Sequence, residues 1–240
     1  MIRAALICAL AAGPLAAEPL RIGTESDYRP YIFLDQSGER TGFDPELMDL
    51  ICARGEFDCT WIEMPFSELF TGVAADRYDI AIGGIGISPG RDAFVDWSAP
   101  YRDQNGSAVR FAGLNSNIDV TTARIGVVGS TKHELVLKNS GYDPIPYPNN
   151  TAIYDALLAG EIEVFAATSS YLAGLTDTEG NPLHDLGRLD YEDSGIRIAV
   201  SKNQSELRAR LNTLIENLRD EGELQILERR WFPTTPARDL

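Results

Sequence analysis

Cysteine and histidine are scarce, three and two among 240 residues, and none of the five cluster. The ligand spacing of a zinc or iron–sulfur site is therefore missing, and no metal or cofactor is expected. Positive charge is also short: 21 Lys and Arg face 36 Asp and Glu, a net charge of −15. This acidity runs along the whole chain and repels phosphate backbones and anionic head groups, which excludes nucleic acid and lipid surfaces as expected partners. No apolar run approaches the ~20 residues that span a bilayer. Nucleotide-binding loops are missing as well. IGGIGIS (82–88) does not fit G-x-G-x-x-G, and GVVGSTK (126–132) has the wrong order for a P-loop. The chain shows no repeat, low-complexity tract or flexible linker.

What is present is ordinary globular composition, 44% hydrophobic and 24% charged, in a length suited to two small lobes. Residues 1–17 (MIRAALICALAAGPLAA) join one Arg, an apolar run and a Gly-Pro break to small residues. This pattern predicts a secretory signal peptide cleaved after Ala17; an uncleaved anchor is the plainer alternative. Cys8 sits inside the apolar run. The product is expected in an oxidising, periplasmic space. There Cys52, where a helix ends, and Cys59, where a strand begins, are expected to form a disulfide rather than two buried thiols. Closing so short a loop contributes about 2–3 kcal/mol in the chain-entropy model.

Strands and helices alternate from Leu20 onward. Strand LRIGT precedes a helix opened by Asp44-Pro45, with Asp44 as N-cap. Strand CTWIEM, a helix capped by Ser67, strand YDIAIG, a turn at Ser88-Pro89 and strand FVDWS follow. A second unit begins after Asn105-Gly106, with strand RIGVV (124–128), a helix opened at Ser130-Thr131 with the capping box Thr131-x-x-Glu134, a helix over 150–159 and strand IEVFA. Strand GIRIAVS then leads into an amphipathic helix presenting Leu207, Leu211, Leu214, Ile215 and Leu218 on one face. Two largely parallel α/β sheets are predicted, joined without a linker, with a crevice at the strand ends for a ligand.

The runs IGTESDYRPYIF, GERTGFDPELMDLIC and DRYDIAIGGIGISPGRDAFVDWSAPY, with the closing LRARLNTLIENLRDEGELQILERRWF, resemble the family-3 solute-binding proteins of amino-acid ABC transporters. The resemblance covers nearly the whole mature chain, most strongly residues 20–101 and 195–232. It implies a type II periplasmic-binding-protein fold, with 18–104 and 194–240 as one lobe and 105–193 as the other. Crossings near 103–107 and 191–195 would let the lobes close on a small-molecule solute. A membrane permease is the implied partner, and the protein itself is expected to be a monomer. The Cys52–Cys59 spacing also resembles the disulfide of the lysine/arginine/ornithine and histidine binding proteins.

A zwitterionic solute cannot be buried without complementary groups. Arg91, on the turn SPGR, matches the family's carboxylate-binding arginine, whose fork takes both oxygens. The plainer reading pairs it with Asp92 or Asp96 at the surface. Gly83, Gly84 and Gly86 are expected to bring backbone N–H groups toward the ligand; in the family, hydroxyls commonly stand at positions matching Gly83 or Gly86. Tyr28 and Phe66 match aromatics that cover the ligand's aliphatic part, although either suits an ordinary core. Ser130 and Thr131 would offer hydroxyls and a helix N-terminus to the carboxylate.

Two departures bear on the ligand. Thr168 stands where the family places the Asp that holds an α-ammonium. Lys132 stands where relatives often carry a neutral polar side chain, while Glu25 matches an acid of basic-amino-acid binders. Either charge alone reads equally as solvated surface. The expected solute is an amino acid or a carboxylated derivative. The competing reading is an enzyme on the same scaffold, like the periplasmic cyclohexadienyl dehydratases, for which Glu25, His133 and Glu134 are the nearby acid–base candidates. Otherwise His133 and His184 read as surface or capping residues.

Overall fold

Leu20 and Ile22 alternate along the first strand, and both are fully buried. Each such side chain contributes about 1.5–3 kcal/mol relative to exposure. The computed structural model describes residues 17–88, 90–103 and 107–233, so the expected signal peptide lies outside the described residues apart from Ala17. The first sheet runs in the order Phe57–Glu63, Glu18–Thr24, Ile80–Ala81, Ala199–Ser201 and Val95–Trp97. Its first three strands are parallel; Ala199–Ser201 returns antiparallel between the last two neighbours. The second sheet runs Ile145–Tyr147, Ile125–Val128, Val164–Ala167, Ala108–Gly113 and His184–Asp190. Here too the first three strands are parallel, and Ala108–Gly113 returns antiparallel between Val164–Ala167 and His184–Asp190. Each sheet is thus mixed, with a single strand running against the other four.

Helix Phe43–Gly55 packs Phe43, Leu47, Met48 and Ile51 onto the first sheet, and helix Ser205–Asp220 buries Leu207, Leu211, Ile215 and Leu218 in the same core. The amphipathic face expected from the sequence is the face that is buried, with Leu214 at its margin. Cys52 and Cys59 are joined by a disulfide with a Cα–Cα separation of 6.1 Å, tying the end of helix Phe43–Gly55 to the neighbouring strand.

Two expected caps do not form. Gly42, at φ 128°, is the N-cap of helix Phe43–Gly55, and Asp44 lies inside its first turn. The Asp44 carboxylate is fully buried and accepts the Gly84 N–H at 2.7 Å, a partner forty residues away that outcompetes local capping. Ser67 falls within a 3₁₀ turn, Phe66–Glu68, and no side chain caps the helix Leu69–Ala74 that follows. In contrast, Thr131 caps helix Lys132–Asn139 and Asn149 caps helix Asn150–Leu158.

The chain passes twice between the sheets, after strand Val95–Trp97 and again after strand His184–Asp190. The two passages lie side by side: Tyr101 N–H donates to Ile196 O at 2.9 Å, and Ile196 N–H donates to Arg102 O at 2.8 Å. Gly86 also bridges to Ile196, so the strand-end loop 83–86 lies directly against a crossing. Among the described residues, no helix is long and apolar enough to cross a membrane.

Candidate functional site

The strand ends of the two sheets face each other across a cavity of about 80 Å3. The first lobe lines it with Glu25, Tyr28, Phe66, Gly84, Gly86 and Arg91. Thr131, Lys132, His133 and Thr168 come from the second, and Tyr191 and Asp193 from the crossing segment. The lobes are drawn together around it. Asn150 Nδ2 donates to Asp27 O at 2.9 Å, Thr151 N–H donates to Asp27 Oδ2 at 2.8 Å, and Tyr28 Oη reaches Thr168 Oγ1 at 3.4 Å. The Tyr28 ring stacks on Tyr31 of its own lobe at 5.2 Å and on Tyr171 of the other at 6.3 Å.

Arg91 follows the strand-end loop in a single 3₁₀ turn and is 7% exposed. Its guanidinium donates to Gly86 O at 2.8 Å and to Ser130 O at 3.0 Å, one carbonyl from each lobe. The cation lies 4.5 Å over the Phe70 ring and 5.2 Å over Phe66. Neither Asp92 nor Asp96 pairs with it: Asp92 accepts the Trp97 indole N–H, and Asp96 pairs with Arg208. Burial pushes Arg91 down to about 10, opposed by the field of Asp193.

Glu25 also reaches the cavity without an ion-pair partner among the described residues. Burial, with the neighbouring Asp27 adding to it, raises its carboxyl to about 7; the Phe66 backbone hydrogen bond works in the opposite sense. Lys132 is not a solvated surface charge. Its ammonium pairs with Asp193 Oδ2 at 3.1 Å, donates to Glu192 O at 3.0 Å and lies 5.0 Å from the Tyr191 ring centre.

The backbone donors expected from the glycines are only partly free. The Gly84 N–H is taken by Asp44, and Gly84 sits at φ 62°, where an added Cβ would come within 2.8 Å of the Tyr28 ring. Gly86 has no hydroxyl counterpart because the Asp193 carboxylate fills that space, 3.0 Å from where a Cβ would sit. Thr131 Oγ1 accepts from Glu134 N–H at 3.2 Å and donates to Val128 O at 2.6 Å, so this hydroxyl is committed to its helix. Ser130 stays outside the cavity, on an outer groove, and contributes its carbonyl to Arg91. Glu134 reaches back to Ser130 N–H at 2.7 Å and pairs with Lys138, which leaves it no cavity role.

His133 departs from the surface role expected of it. It lines the cavity, its Nε2 lies 3.3 Å from Tyr191 Oη, and burial beside Arg91 and Lys132 pushes it down to about 4, so it is neutral at pH 7. His184 is exposed at the start of its edge strand. Asp193 escaped the sequence reading: no periodicity marks it, and its one signal is an acid beside Gly195 in a segment expected to cross between lobes. Among the described residues, no group of three or more His, Cys, Asp and Glu side chains is arranged to hold a metal ion.

A cleft between two mixed α/β lobes, closed over one buried arginine, is the setting in which the family comparison decides. Residues 20–234 match the bacterial extracellular solute-binding proteins, family 3. The chain belongs to that family. Among its relatives is the putative ABC transporter arginine-binding protein 2 of Escherichia coli K12, 28% identical over 95% of this chain and 97% of that protein. The lysine/arginine/ornithine-binding periplasmic protein of the same organism is 26% identical over 90% of this chain and 88% of its own length. A solved arginine-specific periplasmic binding protein of Salmonella typhimurium superposes with a TM-score of 0.82 at 22% identity, covering 90% of this chain and all of that one. This family member therefore carries the two-lobed fold of the type II periplasmic binding proteins.

Proposed function

We propose that this solute-binding protein captures an amino acid or amino-acid-like carboxylate in the periplasm and presents it to the membrane permease of an ABC transporter. The observation that carries the reading is Arg91: a buried guanidinium lining the cavity, bonded to a carbonyl of each lobe yet without a salt-bridge partner among the described residues. A solute carboxylate supplies the missing charge, and each charge-assisted bond contributes about 1.5–3 kcal/mol in a water-poor site. Tyr28 and Phe66 flank the solute's apolar part. Glu25 receives a cationic or hydrogen-bonding end, in keeping with relatives named for arginine, lysine and ornithine. The open form binds, the lobes rotate about the crossings near 103–107 and 191–195, and the closed form docks, because the solute contacts both lobes at once and so favours closure.

No bond is made or broken in this scheme. Glu25 and His133 share the cavity, but His133 is bonded to Tyr191 and no hydrogen bond among the described residues joins it to Glu25. Export through cleavage after Ala17 and action as a monomer complete the reading. A thermal-shift screen over amino acids, opines, betaines and dicarboxylates tests it. Saturation at one hundred times Kd adds about 2.7 kcal/mol of apparent stability. A screen in which no carboxylate stabilises the protein, or turnover of arogenate by it, overturns the reading.

A further inference from the structure

Four charged side chains reach the cleft, and they are not equivalent. Lys132 and Asp193 are already each other's partner at 3.1 Å, with the Asp193 side chain 2% exposed and the Lys132 side chain 19% exposed. Asp193 is fixed further by Gly195 N–H at 3.2 Å, and Lys132 by Glu192 O. The Asp193 carboxylate fills the space beside Gly86. Arg91 and Glu25, by contrast, have no opposite charge in contact among the described residues. Phe66 is close to both: its ring is under the Arg91 cation, and its backbone favours the charged form of Glu25. The other polar side chains lining the cavity are Tyr28, Thr131, His133, Asn150, Thr168 and Tyr191, none of them an acid.

A buried charge is tolerated when it is paired. A closed cleft of this composition is balanced by one anion at Arg91 and one cation at Glu25. A second ammonium beside the solute's carboxylate would meet hydroxyls and the Lys132 cation, with the nearest acid already neutralised. We propose that the Lys132–Asp193 pair is a built-in ion pair that sets the solute's class: a monocarboxylate with one distal cation and no α-ammonium, such as a guanidino or amino acid lacking the α-amino group. This rests on the capture reading and deepens it, and it makes Lys132 and Asp193 specificity-determining residues.

Isothermal titration of the purified protein with 5-guanidinopentanoate and with L-arginine separates the possibilities, since the two differ by the α-ammonium alone. The proposal expects 5-guanidinopentanoate to bind at least tenfold more tightly. In Lys132→Gln, Asp193 is released, so the affinity for L-arginine relative to that for 5-guanidinopentanoate should rise at least tenfold. The double variant Lys132→Gln/Asp193→Asn should lose that gain. Tighter binding of L-arginine to the wild-type protein overturns the proposal and leaves carboxylate capture standing, and this comparison needs no variant to fold. Binding of neither compound also overturns it, and the thermal-shift screen then decides whether capture falls with it.

Discussion

Arg91→Ala separates binding from folding. In the closed cleft the guanidinium is the sole cation free to take a solute carboxylate among the described residues, since Lys132 is held by Asp193. Two charge-assisted bonds at about 1.5–3 kcal/mol each amount to about 3–6 kcal/mol, a weakening of roughly 10²–10⁴ in Kd. The ligand-free fold responds quite differently. Burial that pushes Arg91 down to about 10 penalises the charged form by about 3 kcal/mol. Its removal relieves that penalty while forfeiting the bonds to Gly86 O and Ser130 O and the contacts with Phe66 and Phe70. These opposing contributions are of similar size, so the urea midpoint without solute should change by less than about 1 kcal/mol equivalent. Calorimetry and urea titration of the same preparation check both halves. Wild-type affinity in Arg91→Ala refutes the carboxylate clamp; global unfolding refutes the separation.

Glu25 makes binding of a solute with a cationic end pH-dependent. The empty site holds its proton up to about 7, and a cation favours the ionised form, so binding below that pH expels a proton. Affinity should fall by up to tenfold per unit as pH drops from 7 toward 5.5, and Glu25→Gln should flatten the profile; a flat wild-type profile contradicts this. Asp44 affects folding instead. Burial raises its carboxyl to about 7, so between pH 4 and 7 the folded chain holds a proton that the unfolded chain has released, and stability falls as pH rises. Asp44→Asn keeps an acceptor for Gly84 N–H and should gain stability relative to wild type across that window, as read by urea titration; parallel profiles contradict it. Replacing Cys52 and Cys59 by Ala together should cost about 2–3 kcal/mol of stability in the chain-entropy model, measured the same way, and no loss would show that the bridge leaves the unfolded chain unconstrained.

The layout of strands and helices was legible where local pattern and tertiary packing agree, as in the Leu207–Leu218 face and the Thr131 cap. It failed where a residue answers to a distant partner. Asp44 has the local signature of an N-cap, but Gly84 N–H claims it. Strand His184–Asp190 is largely exposed and bulged against its neighbour, so it lacks the apolar alternation that marks a strand. In the site, Arg91, Glu25, Tyr28 and Phe66 could be named through the resemblance to the solute-binding family, and all four line one cavity. Asp193 could not, and His133 was named only as an acid–base candidate of the enzyme reading: the place of Asp193 depends on how the crossing segment lies against Gly86 and Lys132, which spacing along the chain does not encode.

The most direct measurement is a crystal structure with the solute that gives the largest thermal shift. The account predicts both lobes closed on it, with a carboxylate within hydrogen-bond distance of the Arg91 guanidinium. A bound solute whose carboxylate lies away from Arg91, or one seated outside the cleft, contradicts it.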